Sequence, residues 1–134
     1  MSSPETDILF DPHTLAPWRF PKPGVDYVGR ILTTPYVVWR LDANGNPQLT
    51  TEGAYRWSLW MCVDTAEGLR GFCIETNPLA QAFNGNATEA NLRRWEHDWN
   101  VGGRLQLSWT RDGRDRHLYR GRYSPPPATP LAER

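Results

Sequence analysis

The 134 residues have room for one domain around one hydrophobic core, and twelve prolines with eleven glycines spread along the chain exclude a helical bundle. Fifteen basic and fifteen acidic side chains cancel, so any affinity for nucleic acid or another polyanion has to rest on local clusters rather than on overall charge. No apolar run reaches the ~18 residues of a membrane span, and Glu5, Asp7 and Asp11 stand where a secretory leader would be basic and then apolar, so a soluble cytoplasmic protein is expected.

Residues 1–24 read as a proline-rich arm. Pro12, Pro17, Pro21 and Pro23 prevent regular structure, yet Phe10, Leu15, Trp18 and Phe20 are too apolar for a free tail. The arm is expected to pack across its own domain or, through residues 10–20, onto a protein partner or a second copy. Residues 27–41 form one long extended stretch, bent at Thr34-Pro35, in which Val37, Trp39 and Leu41 alternate with Tyr36, Val38 and Arg40. The turn residues Asn44-Gly45-Asn46-Pro47 then place a loop over 42–54.

Tyr55–Thr76 reads as a β-hairpin. Tyr55, Trp57, Leu59, Met61 and Val63 share one parity, and a turn centred on Ala66 and Glu67 sets Trp57, Leu59 and Met61 on the same face as Phe72 and Ile74. The opposite face carries Arg56, Ser58, Trp60, Cys62, Gly71, Cys73 and Glu75, and Trp60 is the odd residue among small and polar neighbours. In that register Cys62 and Cys73 are diagonal neighbours, about 7–8 Å apart and too far for an unstrained disulfide, so two free thiols are expected. Neither has the spacing of a zinc ligand.

Residues 77–85 read as a loop. Asn86 with Glu89 three residues on suggests a helix N-cap, and Leu92, Trp95 and Trp99 supply one apolar stripe before Gly102-Gly103 ends the helix. A strand over 104–110 sets Leu105, Leu107 and Trp109 against Arg104, Gln106 and Ser108. Residues 111–116 make the turn into a last strand, 116–123. A two-residue turn opposes Leu107 to Leu118 and a longer one to Tyr119. Ser124-Pro-Pro-Pro opens a tail, 124–134, expected to be disordered.

Charge is unevenly spread. Residues 104–122 hold six arginines (104, 111, 114, 116, 120 and 122) against Asp112 and Asp115, whereas 41–100 hold eight acids and four arginines.

Three strands, a helix and two more strands, the first strand long and bent, resemble the OB-fold, so the expected class is mostly β: a small five-stranded OB-like Greek-key barrel over 25–123 with one helix between strands three and four. A small β-sandwich carrying one helix is the competing architecture. OB-fold domains bind oligonucleotides or oligosaccharides on the face of strands two and three, between the loop joining strands one and two and the loop joining four and five. By this resemblance the site falls on the face of Arg56 and Trp60, on loop 42–54 and on loop Arg111–Arg116. Single strands need aromatic planes for bases and cations for phosphates. Trp60 would stack a base while Arg56, Arg111, Arg114 and Arg116 hold phosphates. Arg30 and Arg40 would extend the track, and of Tyr119 and Arg120 only one can face the ligand. The expected function is therefore non-catalytic binding of single-stranded nucleic acid, DNA before RNA. The rival is an assembly domain using its aromatic outer face and its arm, with Trp60 packed beneath that arm. Carbohydrate binding through exposed Trp is a third option, weakened by the arginines. No P-loop, GxGxxG, HExxH or GxSxG motif occurs, and His13, His97 and His117 share no motif, so neither catalysis nor a metal or cofactor is expected.

Overall fold

The computed structural model describes residues 11–127; Phe10 of the arm and residues 128–134 of the tail lie outside the described residues. The chain is mostly β: β1 (Tyr27–Ile31), β2 (Tyr36–Trp39), β3 (Trp57–Thr65), β4 (Gly68–Ile74), α1 (Asn77–Gln81), α2 (Glu89–Asp98), β5 (Arg104–Arg111) and β6 (His117–Ser124). All six strands join one antiparallel sheet, ordered β2-β3-β1-β5-β6 with β4 on the other edge of β3. The β3–β4 hairpin is its hub. Leu59 opposes Ile74 and Met61 opposes Phe72 across a two-residue Ala66-Glu67 turn, the register that the alternation predicts. Leu59, Met61 and Ile74 are fully buried.

The long first strand is two strands. Gly29 opposes Thr65 and Tyr36 opposes Trp60, so the eight residues 29–36 run against the six residues 60–65. The surplus is taken up around buried Pro35, which has no N–H to offer a ladder. Among the described residues the sheet therefore has six strands instead of five.

It is also not closed into a barrel among the described residues, and each of the two edges that would meet is engaged elsewhere at one point. At β4, Trp18 N–H donates to the Gly71 carbonyl and Gly71 N–H to the Ala16 carbonyl, both at 2.9 Å, so the arm adds itself to that edge. At β6, Gly121 N–H donates to the Ala82 carbonyl at 3.1 Å. Edge groups satisfied in this way no longer seek each other.

Trp18 carries the arm into the core, where its ring meets Phe20 at 4.8 Å and Phe72 at 5.1 Å, both edge-on. Helix α2 adds Leu92 and Trp95 to the core, and Trp99, the residue that caps its C-terminus, stacks on Tyr123 of β6. The helix starts later than its sequence suggests. Asn86 Oδ1 accepts from Gln81 Nε2, so it is engaged elsewhere, and Thr88 Oγ1 caps the helix by accepting from Asn91 N–H at 3.2 Å. Thr88→Ala is expected to cost about 1 kcal/mol, read as a lowered urea midpoint with unchanged slope. Within the expected 77–85 loop lies the short α1, started by Pro78 in its first turn.

The last hairpin takes neither expected register. Leu107 opposes Gly121 around a five-residue loop, Asp112–Arg116, in which Asp115 adopts φ +62° and Asp112 Oδ1 accepts from the N–H groups of Arg114 and Arg116. The parity equals that of the Leu107–Tyr119 alternative, so Tyr119 turns inward and Arg120 outward.

Candidate nucleic-acid interface

Trp60 sits in the middle of β3, opposite Tyr36 and Cys73, on the outer face where its alternation places it. It is not open to a base. The His13 ring lies 4.0 Å from the Trp60 ring, and the Pro12 carbonyl rests on Gly71 so closely that a Cβ there would sit 2.2 Å from its oxygen. The arm thus fills the middle of the expected groove, which is the rival arrangement for Trp60.

Most of the other expected residues are partnered or apart. Arg111 pairs with Asp115 at 2.8 Å and Arg116 with Asp112 at 3.1 Å, so the loop neutralises two of its own cations; Arg114 has no ion pair with the described residues. Arg40 lies 3.6 Å from Glu75, which also accepts from the Ser58 hydroxyl at 2.9 Å. Arg56 is exposed just before β3, where its Nε meets the Leu49 carbonyl at 3.4 Å. Relative to the level of Gly29, which opposes both Thr65 and Leu105, Arg56 lies nine residues below and Arg111 six above. At about 3.3 Å per residue they occupy opposite ends of the sheet. Tyr119 is half-buried on the inner face.

A different set converges. Burial of Leu105, Leu107 and Trp109 turns the even-numbered residues of β5 outward, and the register then lines up Arg104 with Arg30 of β1, Gln106 with Arg122, and Ser108 with Arg120 of β6. Arg30, Arg104, Arg120 and Arg122 are all exposed. Arg30 faces Asp64 at 4.0 Å, whereas the side chains of Arg104, Arg120 and Arg122 make no ion pair or hydrogen bond with the described residues. Gln106, Ser108, Arg120 and Arg122 line a shallow depression of about 230 Å³. Arg104 and Arg122 escaped the sequence-derived site although both belong to the basic cluster. Their two-residue spacing from Gln106 and Arg120 was a usable signal, but joining the two strands needed the register of the last hairpin.

The titratable groups beneath the arm favour their neutral forms. Burial above all, with Asp11, Cys62 and Cys73 adding to it, pushes the Tyr36 phenol up to about 12. Burial first and Glu75 next push the Cys73 thiol up, and burial pushes Cys62 up, so neither thiol is an activated nucleophile. A phenol held neutral in the folded state stabilises it fully below its ordinary value of about 10, and that contribution is lost as pH rises towards 12. Tyr36→Phe is expected to flatten the fall in urea midpoint over that window. The described residues contain no group of three or more His, Cys, Asp or Glu side chains arranged to hold a metal ion, and no helix long and apolar enough to cross a membrane. No protein-family model matches the chain, and no curated protein matches it.

Proposed function

We propose that the protein binds nucleic acid along the outer face of β1, β5 and β6, with Arg30, Arg104, Arg120 and Arg122 holding successive phosphates. The observation that carries this reading is the set of three guanidinium groups, Arg104, Arg120 and Arg122, without an acidic partner among the described residues on one face. Arg30 directly opposes Arg104, and like charges across a ladder are unfavourable, so the face becomes balanced when an anion lies across it. An OB-like reading is supported by the pairings β1 with β3, β3 with β4, β1 with β5 and β5 with β6, and by α2 lying between β4 and β5, with the arm standing where the closing pair of a barrel would be. Trp60 shares the outer face, and it would serve as a stacking plane for a single strand only with the His13 ring displaced from it. Assembly through the arm is the weaker reading, because Trp18 lies in the chain's own core.

Anisotropy titrations of a labelled single-stranded DNA 12-mer at rising salt test the proposal. Each neutralised phosphate contributes about −0.7 to the log–log slope for single strands, so four contacts give a slope near −3. Absence of binding, or affinity independent of salt, overturns it.

A further inference from the structure

A cleft of about 600 Å³ opens away from the arginine face, between the segment that joins β2 to β3 and the turns flanking α1 and α2. Tyr55, Arg56 and Trp57 form one wall, and residues 75–78 and 86–89 the other. The first wall is well braced. Gln48 N–H donates to the Arg40 carbonyl, Arg56 N–H to the Gln48 carbonyl and Arg40 N–H to the Arg56 carbonyl, at 2.8 to 2.9 Å, so three passes of chain tie one another in a ring.

On this frame Tyr55 stacks one ring face on Trp39, with centroids 4.8 Å apart and planes 15° from parallel. Tyr55 lines the cleft and Trp39 does not, so the cleft wall carries an aromatic residue that a second ring backs. Beside it stands Arg56. Its terminal amines have no partner among the described residues, and Glu52 acts on it only from outside ion-pair range. The remaining charges cancel locally, since Glu75 faces Arg40 and Glu89 faces Arg93 at 3.2 Å. What the cleft presents is an aromatic plane next to one unneutralised guanidinium, in a volume within the ~300–1,000 Å³ usual for small-ligand sites.

We propose that this cleft is a nucleotide site, in which a base stacks on Tyr55 and its phosphate is held by Arg56. The site stands apart from the arginine face, so each can fail without the other. Adenosine 5′-monophosphate, adenosine and ribose 5-phosphate are titrated while tryptophan fluorescence and side-chain NMR shifts of Arg56 are followed. The nucleotide is expected to bind saturably, and the two fragments roughly tenfold more weakly each, because each keeps only the plane or only the anion. Tyr55→Ala is expected to cost about tenfold and Tyr55→Phe little, since the phenyl plane does the stacking. Arg56→Gln is expected to erase the advantage of the nucleotide over adenosine. The triple variant Arg104→Gln/Arg120→Gln/Arg122→Gln is expected to bind the nucleotide as the unaltered chain does. Nucleotide and ribose 5-phosphate binding equally, Tyr55→Ala binding normally with an unchanged melting curve, or no saturable response overturns the site. So does light scattering that finds a stable dimer with the cleft silent, which would make the Trp39–Tyr55 surface a protein contact.

Discussion

Trp18→Ala is expected to lower the free energy of unfolding by about 3–5 kcal/mol, the usual cost of emptying a buried Trp position. Only 9% of the residue is exposed, and its ring lies between Phe20, Phe72 and the Gly29 backbone, where a Cβ on that glycine would come within 3.0 Å. Against a total stability of about 5–15 kcal/mol for a domain this size, the loss is large. The effect should also spread. Trp18 anchors the segment whose Ala16 and Trp18 backbone groups bond Gly71, and that segment holds His13 over Trp60. Urea unfolding measures the stability, and iodide quenching of tryptophan fluorescence reports whether Trp60 becomes accessible. A loss under about 1 kcal/mol with unchanged quenching would mean that the arm is not part of the folded domain.

Arg104→Gln/Arg120→Gln/Arg122→Gln is expected to weaken oligonucleotide binding roughly a hundredfold at low salt and to make the salt slope shallower by about 2, three phosphate contacts being removed at ~0.7 each. Stability should hold or rise by a few tenths of a kcal/mol, because glutamine at position 104 relieves the repulsion from Arg30. Loss of binding without loss of stability separates a binding face from a structural one. Replacing Arg111 and Arg116 instead should change binding less, since their charges are already matched by Asp115 and Asp112. Anisotropy titrations of both variants at two salt concentrations decide between the face and the loop; equal losses would return the interface to the loop.

Much of the fold was readable along the chain. Alternation in Trp57–Val63 and in Leu105–Trp109 named both inner faces, and the tight Ala66-Glu67 turn fixed the hub register to the residue. The stripe Leu92, Trp95, Trp99 named the buried side of α2. The longer turn at 112–116 was less legible. Its geometry depends on Asp112 accepting two backbone N–H groups and on Asp115 adopting a left-handed conformation, and residue order announces neither. The break at Pro35 was visible as a bend, but whether it divides one strand into two depends on how β3 pairs on either side of it.

The candidate site depended more on what comes from afar. By itself the sequence determined that Trp60 lies on the outer face of β3, because side chains on an extended chain alternate whatever surrounds them. It also determined that basic charge gathers between residues 104 and 122. Only the tertiary structure decided that Trp60 is covered by His13, forty-seven positions earlier in the chain, and that Arg30 joins Arg104, Arg120 and Arg122 while Arg111 and Arg116 of the loop are paired with aspartates. The reason is physical: which way a side chain points is set by its own backbone, but whether it meets solvent, a ring or a counter-charge is set by segments distant in sequence.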